Sequence, residues 1–258
     1  MEYGQFCPVA KAAGILGERW TLLIVRELLL GTTRFGELQR ALATASPSIL
    51  AKRLKELERA GIVAHVDRTG QPHRVYELTR AGCALGTVID EMGTWAARWV
   101  PGTLAKDELD EYYLVLDISR RIDAGALPAR TVNLGFRFRG GTGAPDWWLV
   151  LRDGKADICD RDPGYELDLL LSGSLRAVTE VWLGRTSLSR ALARRSIRLA
   201  GDRALERSLQ QWFSLSAYAR ARSEARDSGE QSPQPLQGGK EDERRKTRPA
   251  GLGSGIGR

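Results

Sequence analysis

Residues 46–61, SPSILAKRLKELERAG, constrain the fold more than any other stretch, because they fix a helix start, a helix stop and two chemically distinct faces. The Ser46 hydroxyl can accept an orphan amide bond, Pro47 stands at the first helical position where a missing N–H is harmless, and Gly61 supplies a left-handed stop. Leu50, Leu54 and Leu57 recur at helical spacing and define an apolar face. At about 100° per residue, Ser48, Lys52, Lys55 and Arg59 fall on the opposite side, where a surface helix meets solvent or a partner. This is the form of a recognition helix, and the partner it suits is DNA.

The flanking residues supply the scaffold such a helix requires. WTLLIVRELLLG (20–31) is a strongly apolar helix ending at Gly31, Thr32 and Thr33 break it, and a short helix follows from Arg34 to about Leu42. Two helices joined by a short turn, the second capped and basic, make a helix-turn-helix. Beyond Gly61 the period changes from helical to alternating. IVAHVD (62–67) and RVYELT (74–79) read as strands around a Gly and Pro loop carrying Arg68, Gln71 and His73, which predicts a β-hairpin wing.

These stretches, CPVAKAAGILGERWTLLIVRELLLGTTRFGELQRAL, SPSILAKRLKELERAGIVAHV and HRVYELTRAG, resemble the HxlR-type winged helix-turn-helix regulators, a subgroup related to the MarR regulators. The resemblance runs from residue 5 to about 100. It implies a homodimeric transcription factor, most simply a repressor, that reads a palindromic operator in double-stranded DNA. The implied DNA-contacting set is Arg34, Ser46, Ser48, Ile49, Lys52, Arg53, Lys55, Arg68, His73 and Arg74. Ser48, Ile49 and Lys52, near the helix N-terminus, are placed to read bases; Lys55, Arg34, Arg68 and Arg74 are expected to hold phosphates. A plain solvated face, with Glu56 and Glu58 pairing along the helix, is the alternative for the lysines. Cys7 occupies the family's Cys-Pro position, where some relatives sense quinones, aldehydes or oxidants. A helix N-terminus does favour a thiolate, whereas a packed free cysteine behaves as a small hydrophobe, so both readings of Cys7 stand. Cys83 and Cys159 are expected to pack.

Composition narrows the function class. The net charge of +7 suits a polyanion binder but is thinly spread, with thirteen basic against ten acidic residues over 1–103 and nineteen against sixteen over 104–223. No apolar run long enough to span a membrane and no signal-peptide pattern occur, which predicts a cytoplasmic protein without a membrane partner. Three cysteines and two histidines without CxxC or His-pair spacing predict neither a disulfide framework nor a metal site, and no cofactor is implied. The sequence carries no GxSxG, HExxH, Walker loop or helix-opening GxGxxG, so no enzymatic activity is expected.

RAGCALGTVIDEMGTWAARWV (80–100) sets Leu85, Val88, Met92, Trp95 and Trp99 at alternating intervals of three and four, a seam suited to pairing with a twin helix across a two-fold axis. An intramolecular core helix is the alternative. Pro101 and Gly102 then open a linker.

From about 108 the pattern changes. EYYLVLDISRRID reads as a helix, RTVNLGFRFRG (130–140) as a strand, WWLVLRDGKADICD (147–160) as two strands about Asp153 and Gly154, and YELDLLLSG as another. SLRAVTEVWLGR, SLSRALARRS and DRALERSLQQWF read as amphipathic helices interrupted by the short run IRLAG. Sheet first and helices later predicts an α+β layer. LVLRDGKADICD together with SGSLRAVTEVWLGRTSLSRALARRSIRLAGDRALERSLQQWF resembles the sterol carrier protein type 2-like fold, which implies an apolar tunnel for a small hydrophobic ligand. From residue 223 the composition becomes rich in Gly, Ser, Pro, Gln and charge, which predicts a disordered tail.

The expected organisation is α+β: a winged helix-turn-helix domain over 1–103, a sterol-carrier-like domain over 108–222 and a tail over 223–258. The expected function is a DNA-binding regulator switched by a ligand in the second domain. A switch at Cys7 and an apolar-ligand carrier without DNA binding are the alternatives.

Overall fold

A computed structural model of the chain describes residues 4–67, 75–100, 104–138, 143–221 and 224. The N-terminal half runs α1 (Pro8–Leu16), α2 (Thr21–Leu29), α3 (Phe35–Ala41), α4 (Pro47–Arg59), β1 (Val63–Val66), β2 (Val75–Leu78) and α5 (Arg80–Trp99). Ile24, Val25 and Leu28 of α2, Leu38 of α3 and Leu50, Leu54 and Leu57 of α4 converge on one core with Ile62, Val63 and Ile89. The leucine face read from the sequence is therefore the face that α4 buries, and its stop falls at Gly61, whose φ of +69° a side chain would strain. β1 and β2 pair antiparallel with Val63 opposite Leu78. Thr79 joins three elements: its hydroxyl donates to the Gly61 carbonyl at 2.6 Å, its N–H to the Ile62 carbonyl at 3.0 Å, and its oxygen caps α5 by accepting from Gly82 N–H at 3.2 Å.

The second half is a five-stranded sheet of order β5-β4-β3-β6-β7 with helices packed on one face. It comprises α6 (Glu111–Ser119), β3 (Val132–Arg137), β4 (Trp147–Arg152), β5 (Lys155–Cys159), β6 (Leu169–Gly173), α7 (Leu175–Trp182), α8 (Leu188–Ala193), β7 (Ile197–Gly201) and α9 (Arg203–Trp212). β3 and β6 pair in parallel, and the remaining ladders are antiparallel. Alternation along the strands sends Leu134, Phe136, Leu149, Leu171 and Ile197 into the helical layer, where they meet Ile118, Trp182, Leu205 and Trp212.

Three expectations need adjustment. The run IRLAG, read as an interruption between helices, is the edge strand β7, because Ile197 and Leu199 are a strand's worth of alternate apolar positions. The strand expected over YELDLLLSG starts only at Leu169, because the Asp168 carboxylate is already taken: Asn133 N–H donates to it at 2.8 Å and Arg130 pairs with it at 2.5 Å. Cys83, expected to pack, is exposed, while Cys159 is half-buried.

Buried apolar side chains of the strands and helices pack together between the sheet and the helical layer. A hollow of about 570 Å³ lies at the periphery, where Leu127, Val132 and Leu151 share the lining with Arg130, Asp153 and Lys155. Of the tail, only Glu224 is among the described residues.

The two halves meet over polar and aromatic contacts. Glu27 of α2 is fully buried and accepts from Arg26 at 2.8 Å and, across the junction, from Arg120 at 2.8 Å. Arg120 also donates to the Thr32 hydroxyl at 2.5 Å. Arg26 donates to the Tyr113 hydroxyl and lies over its ring, and Arg40 of α3 lies over Tyr112. Burial alone would lower the pKa of Arg26, but Tyr113, Glu27 and Asp117 outweigh it and the value rises, while burial pushes the Tyr113 hydroxyl up. Both groups therefore hold their ordinary protonation, Arg26 as a cation and Tyr113 as a neutral phenol. On α5, the Tyr218 ring lies so close to Gly93 that a Cβ there would stand 2.3 Å from the ring, and its hydroxyl donates to Asp90 at 3.4 Å.

Candidate nucleic-acid interface

The outer face of α4 is built by fixing its inner face. Leu50, Leu54 and Leu57 are at most 1 % exposed, so the rotation of the helix about its axis is set. Its start is set by Ser46, whose hydroxyl accepts from Ile49 N–H at 3.3 Å and stands 3.1 Å from the Ser48 hydroxyl. Gln39 of α3 donates to the Ala45 carbonyl at 2.6 Å, holding the turn between α3 and α4. The wing is tied to the turn before α3 by a bond of 2.8 Å from Tyr76 N–H to the Thr33 carbonyl. Tyr76 also stacks on His65 with ring centroids 4.2 Å apart.

With its inner side sealed, α4 presents Ser48, Ile49, Lys52, Lys55 and Arg59 to solvent. The Lys52 side chain is 68 % exposed and its ammonium stands 4.0 Å from Glu56, a loose i,i+4 pair worth about a few tenths of a kcal/mol that a phosphate can displace. Arg34 is exposed at the start of α3, with Glu37 at 3.8 Å. The structure thus sets Ser46, Ser48, Ile49, Lys52 and Lys55 along one exposed stretch of α4, with Arg34 exposed separately at the N-cap of α3.

Arg53 does not join them. Its guanidinium is 15 % exposed and donates to Glu18 at 2.7 Å and Glu56 at 2.5 Å, which clamps α4 to the segment before α2. Arg53, expected to contact DNA, is thus turned toward Glu18 and Glu56 and away from the exposed row of Ser48, Ile49, Lys52 and Lys55. Arg68, His73 and Arg74 lie outside the described residues.

On α5 one face packs inward and the other carries large apolar side chains into solvent. Gly82 and Ile89 are buried and Gly93 meets Tyr218, whereas Val88, Met92 and Trp95 are exposed by 44 %, 49 % and 60 %. Trp99 is half-buried, and Leu85, also half-buried, packs on the N-terminal core. Phe6 and Val9 are exposed as well, at 95 % and 75 %. Cys7 sits half-buried at the N-cap of α1, where no side chain makes a capping bond.

Sequence reasoning missed Glu27 and Arg120. The signal was present in Glu27, an acidic residue on the same helical face as Ile24 and Leu28; a carboxylate there demands a buried cation, although nothing in the sequence names Arg120 as its source. Among the described residues no group of three or more His, Cys, Asp or Glu side chains could hold a metal ion, and no helix is long and apolar enough to cross a membrane.

Comparison with known proteins places this interface in context. The sequence pattern of the HxlR-like helix-turn-helix family matches residues 15–103. The chain is 41 % identical over 102 residues to the uncharacterized HTH-type transcriptional regulator YvaP of Bacillus subtilis, a match spanning 39 % of this chain and 94 % of that protein. It is 39 % identical over 105 residues to the HTH-type transcriptional regulator YodB of the same organism, spanning 40 % of this chain and 94 % of YodB. The solved reduced form of YodB matches with 39 % identity and a TM-score of 0.34, covering 38 % of this chain and all of that one. YodB has also been solved bound to quinone. These relatives are transcriptional regulators rather than enzymes, and the chain belongs to the HxlR-like helix-turn-helix family.

Proposed function

We propose that this protein is a homodimeric, sequence-specific DNA-binding regulator that inserts α4 into the major groove of a palindromic operator. The observation that carries the reading is the division of α4: an inner leucine face sealed in the core, and an outer face of Ser48, Ile49, Lys52 and Lys55 left bare. In this reading Ser48, Ile49 and Lys52 meet base edges, Lys55 and Arg34 hold phosphates, and the wing residues Arg68, His73 and Arg74 touch the neighbouring backbone. The dimer forms through the seam of Leu85, Val88, Met92, Trp95 and Trp99, because the exposed Val88, Met92 and Trp95 in a row favour a covering partner, with half-buried Leu85 and Trp99 at the seam's ends, and a two-fold axis gives each seam its twin. Each half-site then falls about one helical turn from the next.

The division into 1–103, 108–222 and a tail belongs to the same proposal, with the second domain as a sterol-carrier-like module that takes a small apolar ligand. Support comes from the junction: Glu27–Arg120 and Asp90–Tyr218 link the module to α2 and α5, so a ligand that binds one arrangement more tightly can shift the spacing of the two recognition helices. Repression follows if the bound dimer occludes a promoter.

Mobility-shift assays on the DNA upstream of the protein's own gene and on random DNA of equal length test the reading. A preference of about 10³ or more for one upstream segment supports it; equal binding, or none, contradicts it. If apolar molecules that copurify with the protein leave operator affinity unchanged, ligand control is withdrawn. Cys7 favours a second reading, a thiol switch, since it is half-buried at a helix N-terminus in a chain related to YodB. Cys7→Ser protein whose DNA is still released by quinone or diamide eliminates that reading.

A further inference from the structure

The charge of the second half is not spread evenly. Residues 104–184 hold ten basic against fourteen acidic residues, whereas 185–223 hold nine basic against two acidic. The excess cations lie on α8, the turn after it, β7 and α9, where Arg190, Arg194, Arg195, Arg198 and Arg207 are all exposed. Among the described residues no ion pair engages Arg190, Arg194, Arg195 or Arg198, and Arg207 acts on Asp202 only at a distance. A hollow of about 640 Å³ opens between these elements, lined by Leu192, Ile197 and Leu199, by Arg195, Arg198 and Arg207, and by a single carboxylate, Glu206.

An edge strand gains protection from one or two charges, and Arg198 on β7 suffices for that. The remaining arginines stand off the strand, Arg190 on α8, Arg194 and Arg195 in the turn after it and Arg207 on α9, so edge protection does not account for them. Several unpaired guanidinium groups on one open face match a run of phosphates better than a single small anion, because each can hold a different phosphate of a duplex strand. We infer that the α8–β7–α9 face is a second contact for the backbone of double-stranded DNA, separate from α4 and the wing. This rests on the DNA-binding reading: once α4 engages a duplex, the tethered arginine face meets DNA at high effective concentration.

The test uses the full chain and a 60-base-pair duplex of mixed sequence, with affinity followed by fluorescence anisotropy between 50 and 200 mM salt. Each phosphate contact contributes about 0.9 to the slope of log affinity against log salt. Arg195→Gln/Arg198→Gln/Arg207→Gln should reduce that slope by about 2.7, so that the wild type loses about 40-fold more affinity than the variant over this salt range. Arg195→Lys/Arg198→Lys/Arg207→Lys keeps the charges and should keep the wild-type slope. A Gln variant with the wild-type slope overturns the inference, as does an equal loss of slope in both variants, which would mark the effect as structural. Lys52→Gln/Lys55→Gln separates the two ideas: if it binds as wild type while the arginine variant fails, the α4 reading falls and the arginine face stands.

Discussion

Replacing Arg120 with Met tests the junction between the halves. Glu27 is fully buried and holds one bond to Arg26 and one to Arg120, both of 2.8 Å. Removing Arg120 leaves the carboxylate in place with half its compensation, and breaking a buried pair costs about 3–5 kcal/mol. Arg26 still faces Oε1, so the lower end applies, about 3 kcal/mol. With a urea dependence of about 2 kcal/mol/M, the unfolding midpoint should fall by about 1.5 M. Met fills much of the aliphatic volume of Arg120, which separates lost charge from lost packing. Glu27→Leu/Arg120→Met removes the stranded charge as well and should return to within about 1 kcal/mol of wild type, a coupling of about 2 kcal/mol or more. Urea unfolding of Arg120→Met, Glu27→Leu and the double variant, followed by circular dichroism and tryptophan fluorescence, gives all three values. An Arg120→Met loss below about 1 kcal/mol, or additive single and double effects, would refute the claim that this pair joins the halves.

Ser46→Ala removes the acceptor for Ile49 N–H and should cost about 1 kcal/mol of stability while weakening DNA binding, because the first turn of α4 carries Ser48 and Ile49; unchanged thermal unfolding would contradict it. Asp202 caps α9, and bonds from Ala204 N–H and Leu205 N–H, with Arg130 and Arg207 nearby, hold its carboxyl below the ordinary 3.8. Its contribution is therefore full above that ordinary value and is lost as pH falls through the depressed one. Asp202→Asn should be less stable than wild type at pH 6, with the gap narrowing as pH falls below 3.8, by thermal unfolding; a gap of constant size would contradict the assignment.

The N-terminal half was the more legible in sequence, because its signals are local. Ser46, Pro47 and Gly61 bound α4 through backbone chemistry within a few residues, and the 3.6-residue leucine period can be satisfied only by one buried face. The second half depends on distant partners. β7 was obscured because IRLAG is too short for a pattern to outweigh the helices on either side, and it becomes a strand only by pairing with β6. Arg53 and Lys52 look alike in sequence, yet one helical step of rotation turns Arg53 toward Glu18 and leaves Lys52 in solvent. Glu27 was readable as an anomaly, but its cation comes from a helix some ninety positions later.

The central claim is that the outer face of α4 binds duplex DNA, and the salt dependence of binding by Lys52→Gln/Lys55→Gln tests it most directly. The account predicts a fully folded variant whose slope of log affinity against log salt is smaller than wild type by about 0.9, the phosphate contact of Lys55, with affinity reduced further by the lost base contact of Lys52. Wild-type slope and affinity in that variant would contradict it.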